Sequence, residues 1–198
     1  MNIIPTRSEL MNVKRRITLA NSGYNLLKKK RDGLILEFYE VLKKAKTVRA
    51  EMKELYDEAV KMITLARALD SDMAIQSVAL GLNAKSDVKL ETKNIMGVKV
   101  PKITFEAQEI MAQGLSLSLR IDQSSLIYQR LLAQIVKVAE LETTMRKLLH
   151  EIEKTKRRVN ALEFVVLPRL KGIKSFIAMR LDEMERENTF RMKRIKKD

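Results

Sequence analysis

Cysteine and tryptophan are absent from this 198-residue chain, and it holds only three prolines, six glycines and 5 % aromatic residues. Without cysteine there is no disulfide, no thiol chemistry and no zinc–thiolate site. An intracellular, reducing location fits that absence. No run of about 18 apolar residues is free of charge, and no apolar N-terminal segment leads to a small-residue cleavage site. The chain is therefore expected to be neither secreted nor membrane-spanning. So few glycines and prolines leave few places to turn, and the shortage of aromatics argues against a compact core. Long elements are the consequence.

The abundant residues, Leu, Ala, Lys, Arg, Glu and Met, are strong helix formers. The net charge is +14, which ordinarily raises nucleic acid or an anionic membrane as a partner. Its distribution matters more than its total. Residues 1–31 hold eight basic and one acidic side chain, residues 154–198 fourteen and six, and the 122 residues between them seventeen and eighteen. The excess sits at the two ends.

From Val13, alternating steps of four and three residues visit Ile17, Ala20, Tyr24, Leu27, Arg31, Leu34, Phe38, Val41, Ala45, Val48, Met52, Leu55, Ala59, Met62, Ala66, Leu69 and Met73. Only Arg31 is polar. A mean spacing of 3.5 residues is the repeat of a left-handed coiled coil. The cationic stretch KKKRDG, Lys28 to Gly33, lies inside this helix because the series enters and leaves it in phase. A second series runs through Leu131, Ile135, Val138, Leu141, Met145, Leu148, Ile152, Thr155, Val159, Leu162, Val166, Leu170, Ile173, Ile177, Leu181 and Met184. Its irregular steps near Val138, Val166 and Ile177 mark a stammer and two stutters. Pro168, beside the first stutter, is expected to kink the helix without ending it.

Between the two series the period changes. Val88, Leu90 and Thr92 alternate with charged residues, as do Val98 and Val100, around Gly97, which can supply a positive φ at a turn. A short β-hairpin over about 88–105 is expected, and it needs a helix or partner to pack on. The expected fold is all-α: a long antiparallel two-helix left-handed coiled coil with this hairpin in its connector. The N-terminal helix is placed at 1–75, the connector at 76–114 and the C-terminal helix at 115–198. Such a rod brings its two cationic ends to one tip.

Signals for catalysis are nearly missing. The one histidine, His150, falls between Leu148 and Ile152 and reads as a surface residue. No phosphate-binding glycine loop, nucleophile elbow or zinc-protease motif occurs, and acid pairs such as Glu151/Glu153 have ordinary helical spacing. The eleven methionines suit gap-filling along the seam or a partner groove. The basic clusters VKRR, KKKR, KTKRR and RMKRIKK admit three readings: solvated coiled-coil flanks, a tip inserted into an acidic or dipole-lined protein socket, or a nucleic-acid or membrane contact. Against the last, they lack interleaved aromatics and any helix-turn-helix or zinc-finger pattern.

The segments PTRSELMNVKRRITLANSGYNLLKKKRDGL (5–34), NIMGVKVP (94–101), KTKRRVNALEFVVLPRL (154–170) and RLDEMERENTFRMKRIK (180–196) resemble the D-subunit family of the A-type/V-type rotary ATPases. The resemblance covers essentially the whole chain. It implies a non-catalytic central rotor shaft that needs no cofactor and stands with its termini in a ring of catalytic and non-catalytic components, the A and B subunits. It further implies contact with the small F subunit of the rotor and the membrane-proximal, funnel-shaped C subunit, on the cytoplasmic side of the membrane, without membrane insertion or nucleic acid. The cations expected at the ring are Arg7, Lys14, Arg15, Arg16, Lys28, Lys29, Arg31, Arg191, Lys193 and Arg194. The seam residues expected to hold the helices together include Leu27, Leu34, Phe38, Val41, Met52, Leu55, Met145, Ile152, Val159 and Leu162. Arg31 is expected either to set register or to reach the ring. The alternative reading is a basic coiled-coil nucleic-acid-binding or adaptor protein.

Overall fold

A computed structural model describes residues 4–81, 87–106 and 119–196. Helix α1 runs from Arg7 to Leu69, α2 from Asp72 to Gly81, strands β1 and β2 from Asp87 to Ile95 and Val98 to Glu106, α3 from Leu119 to Ala161 and α4 from Leu167 to Ile195. A π-helical turn, Leu162–Val166, joins α3 to α4 without a break. The expected class is present: two long helical stretches with a two-stranded antiparallel hairpin between them. The position expected for the start of the C-terminal helix, residue 115, lies outside the described residues.

Helix α1 begins where Thr6 caps it, its Oγ1 accepting the Glu9 N–H at 3.2 Å. The run Thr6-Arg7-Ser8-Glu9 has the capping-box spacing, and its acid sits favourably at the positive end of the helix. The helix then passes through Lys28 to Gly33 uninterrupted. Every position of the 4,3 series from Val13 to Ala66 is buried or half-buried, with Leu34, Ala59 and Ala66 fully enclosed. Leu27, Phe38, Met52 and Leu55 are half-buried, and Val41 is buried.

Two expectations at the end of this helix are corrected. The series does not continue to Met73, which is 81 % exposed, and Leu69 before it is exposed as well. Nor does one helix run on to residue 75. Ser71 ends it: its Oγ accepts the Met73 N–H at 3.3 Å and so caps a new helix, α2. A serine cap overrides apolar spacing because it satisfies a backbone donor that a continuous helix would have bonded elsewhere.

In the second long stretch, Leu131, Leu148, Thr155, Val159 and Ile177 are buried, while Met145, Ile152 and Leu162 are half-buried. Three positions differ from the expected seam. Ile135 is exposed and Gln134 takes its place, with Nε2 donating to Glu51 Oε2 at 2.8 Å. A count of apolar residues passes over such a position. Val166 is likewise exposed, and Leu167 is buried instead. The π-turn accounts for the shift: the Leu167 N–H bonds to the carbonyl of Leu162, five residues back, so the seam advances by five residues there. In regular α-geometry the ring of Pro168 would press on the carbonyl of Phe164, and a wider turn just before it relieves that contact. Met184, the last of the series, is exposed because α1 starts only at Arg7, opposite Glu185, and offers no further apolar face to cover it.

Two compact units divide the chain, one of Met1–Gly33 with Ile152–Asp198, the other of Leu34–Glu151. The hairpin belongs to the second. Its register pairs Ile95 with Val98 across Met96 and Gly97, whose φ values of 48° and 87° make a two-residue turn with both residues left-handed. Asn94 Oδ1 accepts the Gly97 N–H at 2.9 Å and braces that turn. Val98 and Val100 are buried on one face, and Lys99 is exposed on the other. Since Ile95 and Val98 close a two-residue hairpin, the N–H groups of Lys99, Ile103 and Phe105 point away from β1. Pro101 shares that parity, so its missing N–H costs no ladder bond. Glu140 of α3 takes one of these outward donors, its Oε2 accepting from the Ile103 N–H at 3.1 Å.

Candidate functional site

The unit holding both chain ends carries 22 basic and nine acidic side chains, and the other unit 17 and 16. Thus +13 of the net +14 belongs to one unit. All ten cations expected at a contact surface lie in it. Fold alone gathers this charge, because α1 and the end of α3 with α4 supply it from opposite ends of the sequence.

Arg7 at the start of α1 is ion-paired with Glu185 of α4, both side chains largely exposed. Lys14, Arg15 and Arg16 are exposed on α1. Further along, Lys28 and Lys29 are also exposed, and Lys28 Nζ stands 5.9 Å from the centre of the Tyr24 ring, a cation–π contact with the residue one turn back. Arg191 reaches Glu187 at 3.7 Å, one turn earlier on α4, and Lys193 and Arg194 point to solvent. These are ordinary solvated pairs, worth little to stability.

Arg31 differs. Its side chain is only 26 % exposed, and its Nε and Nη2 both bond Asp32 Oδ1, at 3.0 and 2.7 Å. A guanidinium at a seam position finds its acceptor in the adjacent carboxylate while its stem packs inward.

His150 is exposed on α3, and among the described residues no three His, Asp or Glu side chains are grouped as a metal ion requires. Among the same residues, no helix is long and apolar enough to cross a membrane.

An open groove of about 680 Å³, without a periodic signature in the sequence, lies between the first turns of α1 and the π-turn with the start of α4, lined by Ile4, Val13, Val165, Val166, Leu170 and Ile173, with Glu9, Arg16 and Arg169 among its polar walls. The signal available was the apolar run Phe164-Val165-Val166-Leu167 directly before Pro168, four residues that cannot all face one seam.

Comparison with known proteins agrees with this architecture of two long helical stretches and a hairpin. The family model described as the D subunit of ATP synthase matches residues 9–197. The A-type ATP synthase D subunit of Methanococcoides burtonii is 50 % identical over 198 residues, covering 98 % of this chain and 96 % of its own. The proteins of the same name from Archaeoglobus fulgidus and Thermococcus kodakarensis are 44 % and 42 % identical, with 97 % and 99 % of this chain covered and 95 % and 94 % of theirs. On a match that spans nearly its whole length, the chain belongs to the D-subunit family of the ATP synthases.

Proposed function

We propose that this chain is the central rotor shaft of an A-type ATP synthase, passing torque between a ring of A and B subunits and the ion-translocating rotor in the membrane. Chemistry stays in the ring. The observation that carries the reading is the concentration of charge in the unit that holds both ends of a chain from this family. That unit is the part read as entering the ring. The Leu34–Glu151 unit, nearly neutral and bearing the hairpin, is read as the part that meets the small F subunit and the funnel-shaped C subunit, on the cytoplasmic side.

One asymmetric shaft cannot contact three equivalent ring interfaces alike, so it stabilises a different conformation at each. Rotation redistributes those preferences, and nucleotide binding at the ring acts back on the shaft with the same coupling free energy. Stiffness comes from the sustained seam, where each well-buried Leu or Ile contributes about 1.5–3 kcal/mol.

Mixing the purified chain with its A and B subunits and with the F subunit tests this. A stoichiometric complex of one chain per hexamer is expected. No association with the ring in the presence of the F subunit overturns the proposal.

A further inference from the structure

The π-turn puts Phe164, Val165 and Val166 on the surface, 70 %, 62 % and 37 % exposed, in the unit with the greatest density of cations. Ile4, 74 % exposed, stands with the two valines at the groove, and Arg16 and Arg169, with the single carboxylate of Glu9, join its wall. An apolar ridge beside a groove whose wall carries two cations and one carboxylate, in a unit of net positive charge, is the anatomy of an interface core with a charged rim. A plain α-turn would have left one residue fewer outside the seam, so the ridge exists because the helix is widened there.

We infer that this ridge and groove seat an acid-flanked apolar segment of a ring subunit, the apolar tip entering beside Val165 and Ile173 and its carboxylates facing Arg16 and Arg169. The inference rests on the shaft reading and names a contact within it. Charge complementarity selects the occupant: a basic or neutral apolar segment would gain burial and lose the favourable field of a unit with 22 cations and nine anions. Sliding cations alone give a smooth bearing. One apolar footing that meets three equivalent ring interfaces in turn gives the shaft preferred resting angles.

The test uses the full-length chain and the ring assembled from its own A and B subunits. Phe164→Ser with Val165→Ser removes the ridge from exposed positions, and Leu36→Ser, equally exposed in the other unit, is the reference; thermal melts establish that each variant folds. The double variant is expected to bind the ring at least about tenfold more weakly, as for loss of interface anchors, and Leu36→Ser within about twofold of wild type. Arg16→Glu with Arg169→Glu is expected to weaken binding and to flatten its salt dependence. A double serine variant that binds like wild type overturns the footing and leaves the shaft reading intact. A wild-type chain that does not bind the ring removes the shaft reading itself. Sedimentation velocity separates the other occupant: if the serines abolish self-association and spare ring binding, the ridge serves a second copy of the chain and the proposal fails.

Discussion

Arg7 and Glu185, 178 residues apart in sequence, form an ion pair between the first turn of α1 and α4. The groove lower in the same unit, lined by Val13 on α1 and Leu170 on α4, shows the two helices still side by side with their directions opposed. The pair marks a proximity whose energy comes from elsewhere, since exposed ion pairs contribute about 0–1 kcal/mol.

Arg191 lies six residues beyond Glu185, about 9 Å along the helix. Cysteines placed at Arg7 and Arg191 and spin-labelled should therefore give a short, narrow distance distribution in the monomer, within about 30 Å once the labels are included. No native cysteine interferes. A broad distribution centred well beyond that would separate the two ends. Arg7→Ala alone should change stability by less than about 1 kcal/mol.

The seam carries the stability. Leu34 and Ile177 are fully buried, one in each unit, and truncating either to alanine should cost about 2–5 kcal/mol. Leu36→Ala, two residues from Leu34 but 68 % exposed, should stay within about 0.5 kcal/mol. Denaturant unfolding checks the contrast. Equal losses at Leu34 and Leu36 would mean that the 4,3 series does not define the buried face.

How far the sequence could be read depended on which kind of residue filled each seam position. From Val13 to Ala66 the buried face was legible because apolar side chains recur there without a gap apart from Arg31, and burial of that face is what orients the helix. It failed at Ile135 because a glutamine holds the seam, and at Val166 because a π-turn moves the phase by one residue. Neither feature has a periodic signature. The end of α1 was missed for a different reason: Ser71 is a single capping oxygen, and capping competes locally with a pattern that continues past it. As for the candidate site, its charge could be counted along the chain. The groove could not, since it needs Ile4 and Ile173 side by side.

Met96 holds a φ of 48° in the hairpin turn, a region where an unbranched apolar side chain gains nothing. Met96→Asn gives the Asn-Gly pair that two-residue turns favour. It should strengthen the hairpin by roughly 0.5–1 kcal/mol, seen as slower amide exchange in β1 and β2. Unchanged or faster exchange would mean that Met96 makes contacts that outweigh its backbone strain.

Glu140 ties the outer edge of β2 to α3. A charge-assisted bond to a half-buried N–H contributes about 1.5–3 kcal/mol, so Glu140→Ala should speed exchange at Ile103 by one to two orders of magnitude while sparing amides of the α1 seam. Glu140→Gln, which keeps an acceptor without the charge, should recover part of the protection. Identical protection in all three proteins would place the hold of the hairpin in Val98 and Val100 alone.

The π-turn and Pro168 are read as one device, and separating them tests that. Deleting Val165 shortens the step from Leu162 to Leu167 to the four residues of an α-helix and keeps both leucines on the seam. It also returns the proline ring to the carbonyl one turn before it, at a cost of about 3 kcal/mol. The deletion alone should therefore lower the melting temperature, and the deletion combined with Pro168→Ala should restore it to at least the wild-type value. Pro168→Ala by itself should leave the π-turn in place, because Leu167 stays buried only if the extra residue is accommodated. Should the single deletion be as stable as wild type, the widened turn owes nothing to the proline, and its persistence would have to be explained by the surface it exposes.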